Sequence, residues 1–73
     1  MDIIAELADK ECPAATRIDY NSNVLTITSS RSLFRLKTYL DGVVDMYNSI
    51  YDTYRIIWLK VSRNRLILEE IRV

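Results

Sequence analysis

Leu33, Leu36, Leu40, Val43, Tyr47, Ile50, Tyr54 and Ile57 recur at alternating spacings of three and four. On an α-helix that spacing gathers the side chains into one continuous apolar seam. Phe34, Val44, Met46 and Tyr51 widen it, and Arg35, Lys37, Asp41, Asp45, Asn48 and Asp52 occupy the polar positions around it. A helix of this kind needs a second layer to cover its seam. The rest of the chain, or another protein, must supply that layer.

The chain has 73 residues, 49% of them hydrophobic. That length makes a single small domain. A domain of this size buries about 60% of the surface its unfolded chain exposes, so its stability is marginal. Natural domains this small often add a disulfide, a metal or a partner subunit. Cys12 is the only cysteine and there is no histidine. No disulfide can form within the chain, and no Cys/His cluster offers zinc-type ligands. Oligomerisation is the remaining support. A lone cysteine fits a reducing compartment. No apolar run reaches the roughly 18 residues of a membrane span. The acidic start, Met1 to Glu6, lacks the basic region of a signal peptide. A soluble, cytoplasmic protein with no membrane contact is expected.

Local patterns predict an α+β domain over residues 1–73. Ile3, Ile4, Leu7 and Ala8 share one face at helical spacing, so Asp2–Glu11 reads as a short helix, with a strand as the alternative. Pro13 ends it. Thr16–Tyr20 and Val24–Ser29 alternate apolar and polar residues and are rich in β-branched types, as strands are. Asn21-Ser22-Asn23 between them suits a tight turn, giving an antiparallel hairpin. That hairpin is expected to pack against the long amphipathic helix. Ser29 and Ser30 offer a helix N-cap. Gly42 falls mid-helix, at a cost of about 1 kcal/mol against alanine. It either admits another backbone closely or is simply tolerated. Arg55–Val61 and Leu66–Val73 flank a turn-like Ser62-Arg63-Asn64-Arg65, so the C-terminal segment reads as a second hairpin. The helical spacing nonetheless runs on through Ile57 and Val61.

Little catalytic chemistry is available. Histidine, the usual general acid–base at neutral pH, is absent. Glu69-Glu70 and the Asp41/Asp45 pair read as solvated surface, and Cys12 has no evident base beside it. One glycine cannot build a phosphate-binding loop. No catalytic residue, cofactor or metal ligand is therefore assigned.

Binding is the better reading. A seam of about 25 residues spans roughly 37 Å at 1.5 Å per residue. Strands of five or six residues extend only about 17–20 Å. If the helix runs along the first hairpin, about half the seam overhangs it. Either the remaining segments of the chain or a partner protein covers that half. Leu36, Leu40, Val43, Tyr47, Ile50, Tyr51 and Tyr54 are the candidate protein interface. Tyrosine suits such a place because it joins apolar area to a hydroxyl that can stay wet. Core packing is the alternative for the same residues. Arg55, Lys60, Arg63 and Arg65 form a run with no acid between them, within a C-terminal part of net charge +3 that balances −3 over residues 1–30. Such a run suits phosphate contact with a nucleic acid, or is a solvated face.

Three stretches carry a family resemblance: Ile18-Asp19-Tyr20, Asn23-Val24-Leu25-Thr26-Ile27-Thr28 and Ser32-Leu33-Phe34-Arg35-Leu36. With the order short helix, hairpin, long helix, they resemble the Pcc-type subunit of the KEOPS complex, and Tyr39–Tyr51 is similar to the rest of that family's second helix. The resemblance spans residues 2 to about 52. Pcc-type subunits usually open with a strand that this chain lacks, and Arg55–Val73 lies beyond the shared pattern. The likeness therefore suits a divergent paralogue playing the part of the Gon-type partner. It implies a non-catalytic accessory subunit in the threonylcarbamoyl modification of tRNA adenosine. The chain would pair with a Pcc-type subunit as a heterodimer, blocking symmetric dimerisation of the whole complex, and tRNA would be met through the complex. A small nucleic-acid-binding module and a homodimeric interaction protein are the alternatives.

Overall fold

A computed structural model describes residues 1–73. The elements run α1 (Asp2–Glu11), β1 (Thr16–Asn21), β2 (Val24–Ser29), α2 (Phe34–Ile50), β3 (Tyr54–Val61) and β4 (Arg65–Arg72). The four strands form one antiparallel sheet in the order β1-β2-β4-β3. Both expected helices, the first hairpin and the C-terminal hairpin are present. The fold is α+β.

Sequence explains the hairpins locally. Ser22 and Asn23 both hold positive φ, 53° and 66°, as the two-residue turn between β1 and β2 requires. Asn21 pairs with Val24 and Thr16 with Ser29. In the second turn the Ser62 hydroxyl accepts from the Arg65 N–H at 3.1 Å, and the Ser62 N–H donates to the Arg65 carbonyl at 2.9 Å. Asn64 ties this turn to the β2–α2 connection, donating to the carbonyls of Ser29 and Arg31 at 2.9 and 3.1 Å.

Alternation along the strands gives the sheet two different faces. Leu25, Ile27, Ile56, Leu66 and Leu68 lie on the inner face and are buried with Ile4, Ala8, Leu33, Leu36, Leu40 and Val44. Both helices sit on this side. The outer face carries no helix.

The helix is shorter than its seam. It ends at Ile50, and Tyr51 is already extended at φ −102°, ψ 127°. Tyr54 and Ile57 thus belong to β3 rather than to the helix face. The run of β-branched and aromatic residues from Tyr54 onward outweighs the continued helical spacing. At the other end the expected serine cap does not form. Ser29 closes β2 and its hydroxyl accepts from the Arg31 N–H at 3.0 Å. Leu33 takes the N-cap position with no side-chain cap bond, and its own N–H donates to the Arg63 carbonyl at 2.7 Å. Tertiary anchoring replaces the local cap.

Candidate protein-interaction surface

α1 has ten residues against seventeen in α2, so it covers only part of its neighbour. Ile4 and Ala8 point down into the core. Ile3 and Leu7, one residue earlier on the helical wheel, face sideways toward α2. Between the helices lies an open groove of about 440 Å³. Tyr39, Gly42, Val43 and Met46 line it from α2, and Tyr47, Ile50 and Tyr51 close one end. Apart from Gly42, every lining residue is apolar or aromatic. Ile3, Met46, Ile50 and Tyr51 are each more than half exposed. Four large apolar side chains so exposed around one concavity form the kind of patch that marks an interaction site.

Gly42 sits on this surface. A Cβ built there meets nothing within 4 Å, so no other part of the chain needs the glycine.

A polar cluster borders the groove. Glu70, on the inner face of β4, accepts from the Tyr47 hydroxyl and from the Met1 ammonium, the latter at 3.1 Å. Burial alone pushes the Glu70 carboxyl up, but these two hydrogen bonds and the ammonium charge outweigh it and hold the pKa below the ordinary value. Tyr47 is pushed from 10.0 to about 12, first by its hydrogen bond to Glu70 and then by burial. Tyr20 is raised by burial and by the charges of Asp2 and Glu70. A second depression holds these groups, lined by Met1, Asp2, Tyr20, Tyr54 and Glu70, and it shares Ile3, Tyr47 and Tyr51 with the groove. The Tyr47 and Tyr51 rings lie 4.5 Å apart between centroids.

The expected interface residues divide. Val43, Tyr47, Ile50 and Tyr51 line the groove, and Tyr54 lines the adjoining depression. Leu36 and Leu40 do not belong to any surface. They are buried in the chain's own core, because the C-terminal hairpin completes the sheet beneath that part of α2. Ile3, Leu7, Tyr39 and Met46 were not among the expected interface residues. Ile3 and Leu7 share their helical stripe with Ile4 and Ala8, and spacing alone cannot separate the half that faces the sheet from the half that faces α2. Glu70 is not solvated surface either, since an inner-face register position carries it under Tyr47.

The basic run is spread over the C-terminal hairpin. Arg55, Lys60 and Arg65 occupy outer-face positions, opposite Ile71, Ile67 and Thr28 respectively, and Arg63 lies in the β3–β4 turn. All four are exposed and join no salt bridge. Asp19 and Glu69 stand on the same outer face. No group of three or more His, Cys, Asp or Glu residues is placed to hold a metal. No helix is long and apolar enough to cross a membrane.

No protein-family model matches the chain, and no curated protein or solved structure matches it.

Proposed function

We propose that this chain is a non-catalytic interaction subunit whose α1–α2 groove takes a partner protein. The observation that carries the reading is the groove itself, with exposed Ile3, Met46, Ile50 and Tyr51 around it. A monomer gains nothing from exposing these side chains, and burying the exposed part of each would release roughly 1–2 kcal/mol. Gly42 adds to this. It costs α2 about 1 kcal/mol in helix propensity, yet nothing in the fold fills the space above it. A partner that approaches α2 closely would use that space.

The partner we favour is a Pcc-type subunit of a KEOPS complex, on the sequence resemblance of residues 2–52. The pair would then act in the cytoplasm, supporting tRNA modification by a separate catalytic subunit and meeting tRNA through the assembled complex. Co-expression tests this. The chain and a Pcc-type subunit should co-purify in a one-to-one ratio, and Met46→Glu with Ile50→Glu should abolish the complex while leaving the fold intact. Separate elution of the wild-type proteins would overturn the reading.

A second reading is direct nucleic-acid binding, favoured by the shared face of Arg55, Lys60 and Arg65. It requires RNA or DNA affinity that falls steeply with salt. Replacing these three residues and Arg63 with alanine would have to remove that affinity.

A further inference from the structure

The sheet has two edges, and they are treated differently. β3 is guarded. The Asn48 side chain of α2 accepts from the Ile56 N–H at 2.8 Å and donates to the Ile56 carbonyl at 3.0 Å. That one amide occupies one outward pair of backbone groups at which an added strand would bond, and cover from a neighbouring helix is one way of protecting an edge. β1 carries no such plug.

Register fixes which β1 groups are free. Asn21 and Val24 flank the two-residue turn and form the hydrogen-bonded pair that closes it. Alternation then directs the N–H and C=O of Arg17, Asp19 and Asn21 toward β2, and those of Thr16, Ile18 and Tyr20 outward. The same alternation carried across the sheet accounts for three observed bonds: Ser29 N–H to Asn64, Glu70 N–H to Asn23, and Ile56 N–H to Asn48. None of the backbone bonds outside the helices and strands reaches Thr16, Ile18 or Tyr20.

The outer face of β1 carries Arg17 and Asp19, which are 81% and 58% exposed and pair with each other at 3.1 Å. We infer that β1 is the pairing edge for a second copy of this chain, antiparallel about a two-fold axis through Ile18. Ile18 then faces Ile18 of the second copy, and Thr16 faces its Tyr20. Every outward N–H and C=O of these three residues finds a partner. Arg17 lies opposite Asp19 of the second copy, twice over by symmetry. The charges select this register. Moving the axis by one residue, to Arg17 or to Asp19, sets arginine against arginine or aspartate against aspartate. The product is a continuous eight-stranded sheet. The inference does not rest on the partner proposed above, since it concerns the isolated chain and a different surface.

Light scattering on the purified full chain, with amide exchange read residue by residue, tests it. The expected mass is twice 8.6 kDa, and the Thr16, Ile18 and Tyr20 amides should exchange slowly in the dimer. Arg17→Asp or Asp19→Arg alone places like charges opposite each other and should weaken the dimer by about tenfold. The double variant should restore it. Both residues are exposed, so the fold survives each change, as far-UV circular dichroism would verify. A monomer throughout the accessible concentration range would overturn the inference. So would a dimer in which Ile18 and Tyr20 exchange fast, or one the double variant fails to rescue. A monomer would leave the groove and its proposed partner untouched.

Discussion

Glu70 shows how one residue's environment sets its role. A carboxylate on the inner face of a sheet is costly unless it is hydrogen-bonded. Here Tyr47 and the Met1 ammonium satisfy it, and no buried side-chain polar atom is left without a partner. Tyr47→Phe removes one of these bonds. Hydrogen bonds to charged groups contribute about 1.5–3 kcal/mol, and partial solvent access lowers that to about 1–2 kcal/mol here. Urea unfolding at neutral pH should show a loss of that size. Both titrations also act on stability. Glu70 has a folded pKa below its ordinary 4.5, so its contribution is present above that value and is lost as pH falls through and below it. Tyr47 is raised from 10.0 to about 12, so its contribution is complete below pH 10.0 and is lost as pH rises toward 12. Stability measured against pH should therefore fall at both ends, and Tyr47→Phe should shrink the alkaline limb to the part that the raised Tyr20 contributes.

Gly42 and Asn48 make opposite bargains within α2. Gly42→Ala places a methyl where nothing stands within 4 Å. It should stabilise the chain by about 1 kcal/mol in thermal or urea unfolding, while weakening the proposed partner complex by crowding the groove. Asn48→Ala frees the Ile56 N–H and C=O. It should cost about 1–3 kcal/mol and raise the tendency to aggregate, read by light scattering, because the β3 edge is then open. Most elements were legible before the structure because their signals are local. Alternation over Val24–Ser29, turn residues at Ser22 and Asn23, and helical spacing from Leu33 each act over a few residues. The end of α2 was harder to read, since Tyr54 and Ile57 satisfy the helical count by position while their residue types favour a strand. The cap at Ser29 failed for a tertiary reason: bonds from the connecting segment to Arg63 and Asn64 hold the start of α2 in place.

At the scale of the molecule, two helices cover one face of a four-stranded sheet and leave three distinct surfaces. The core is small, so single truncations matter. Leu40 is fully buried, and Leu40→Ala should cost about 2–5 kcal/mol, read as a lowered midpoint in urea unfolding. The outer face remains wet because exposed Arg55, Lys60 and Arg65 alternate with half-buried Ile57, Ile67 and Ile71, and long basic side chains can shelter apolar neighbours. The groove has no such cover. The candidate interface was legible in part for the same reason. Spacing placed Val43, Tyr47 and Ile50 on one helix with Leu36 and Leu40, but only the completed sheet decides that Leu36 and Leu40 are buried while Val43 and Tyr47 stay half-buried at the groove and Ile50 is exposed. The groove's role can be read directly by oxidative labelling of Met46, Tyr39 and Tyr51, with and without a Pcc-type subunit. A partner seated on the groove should cut labelling of Met46 and Tyr51 several-fold and leave that of Leu59, on the far edge of the sheet, unchanged. Formation of a complex with Met46 and Tyr51 labelled as in the free chain would contradict the account.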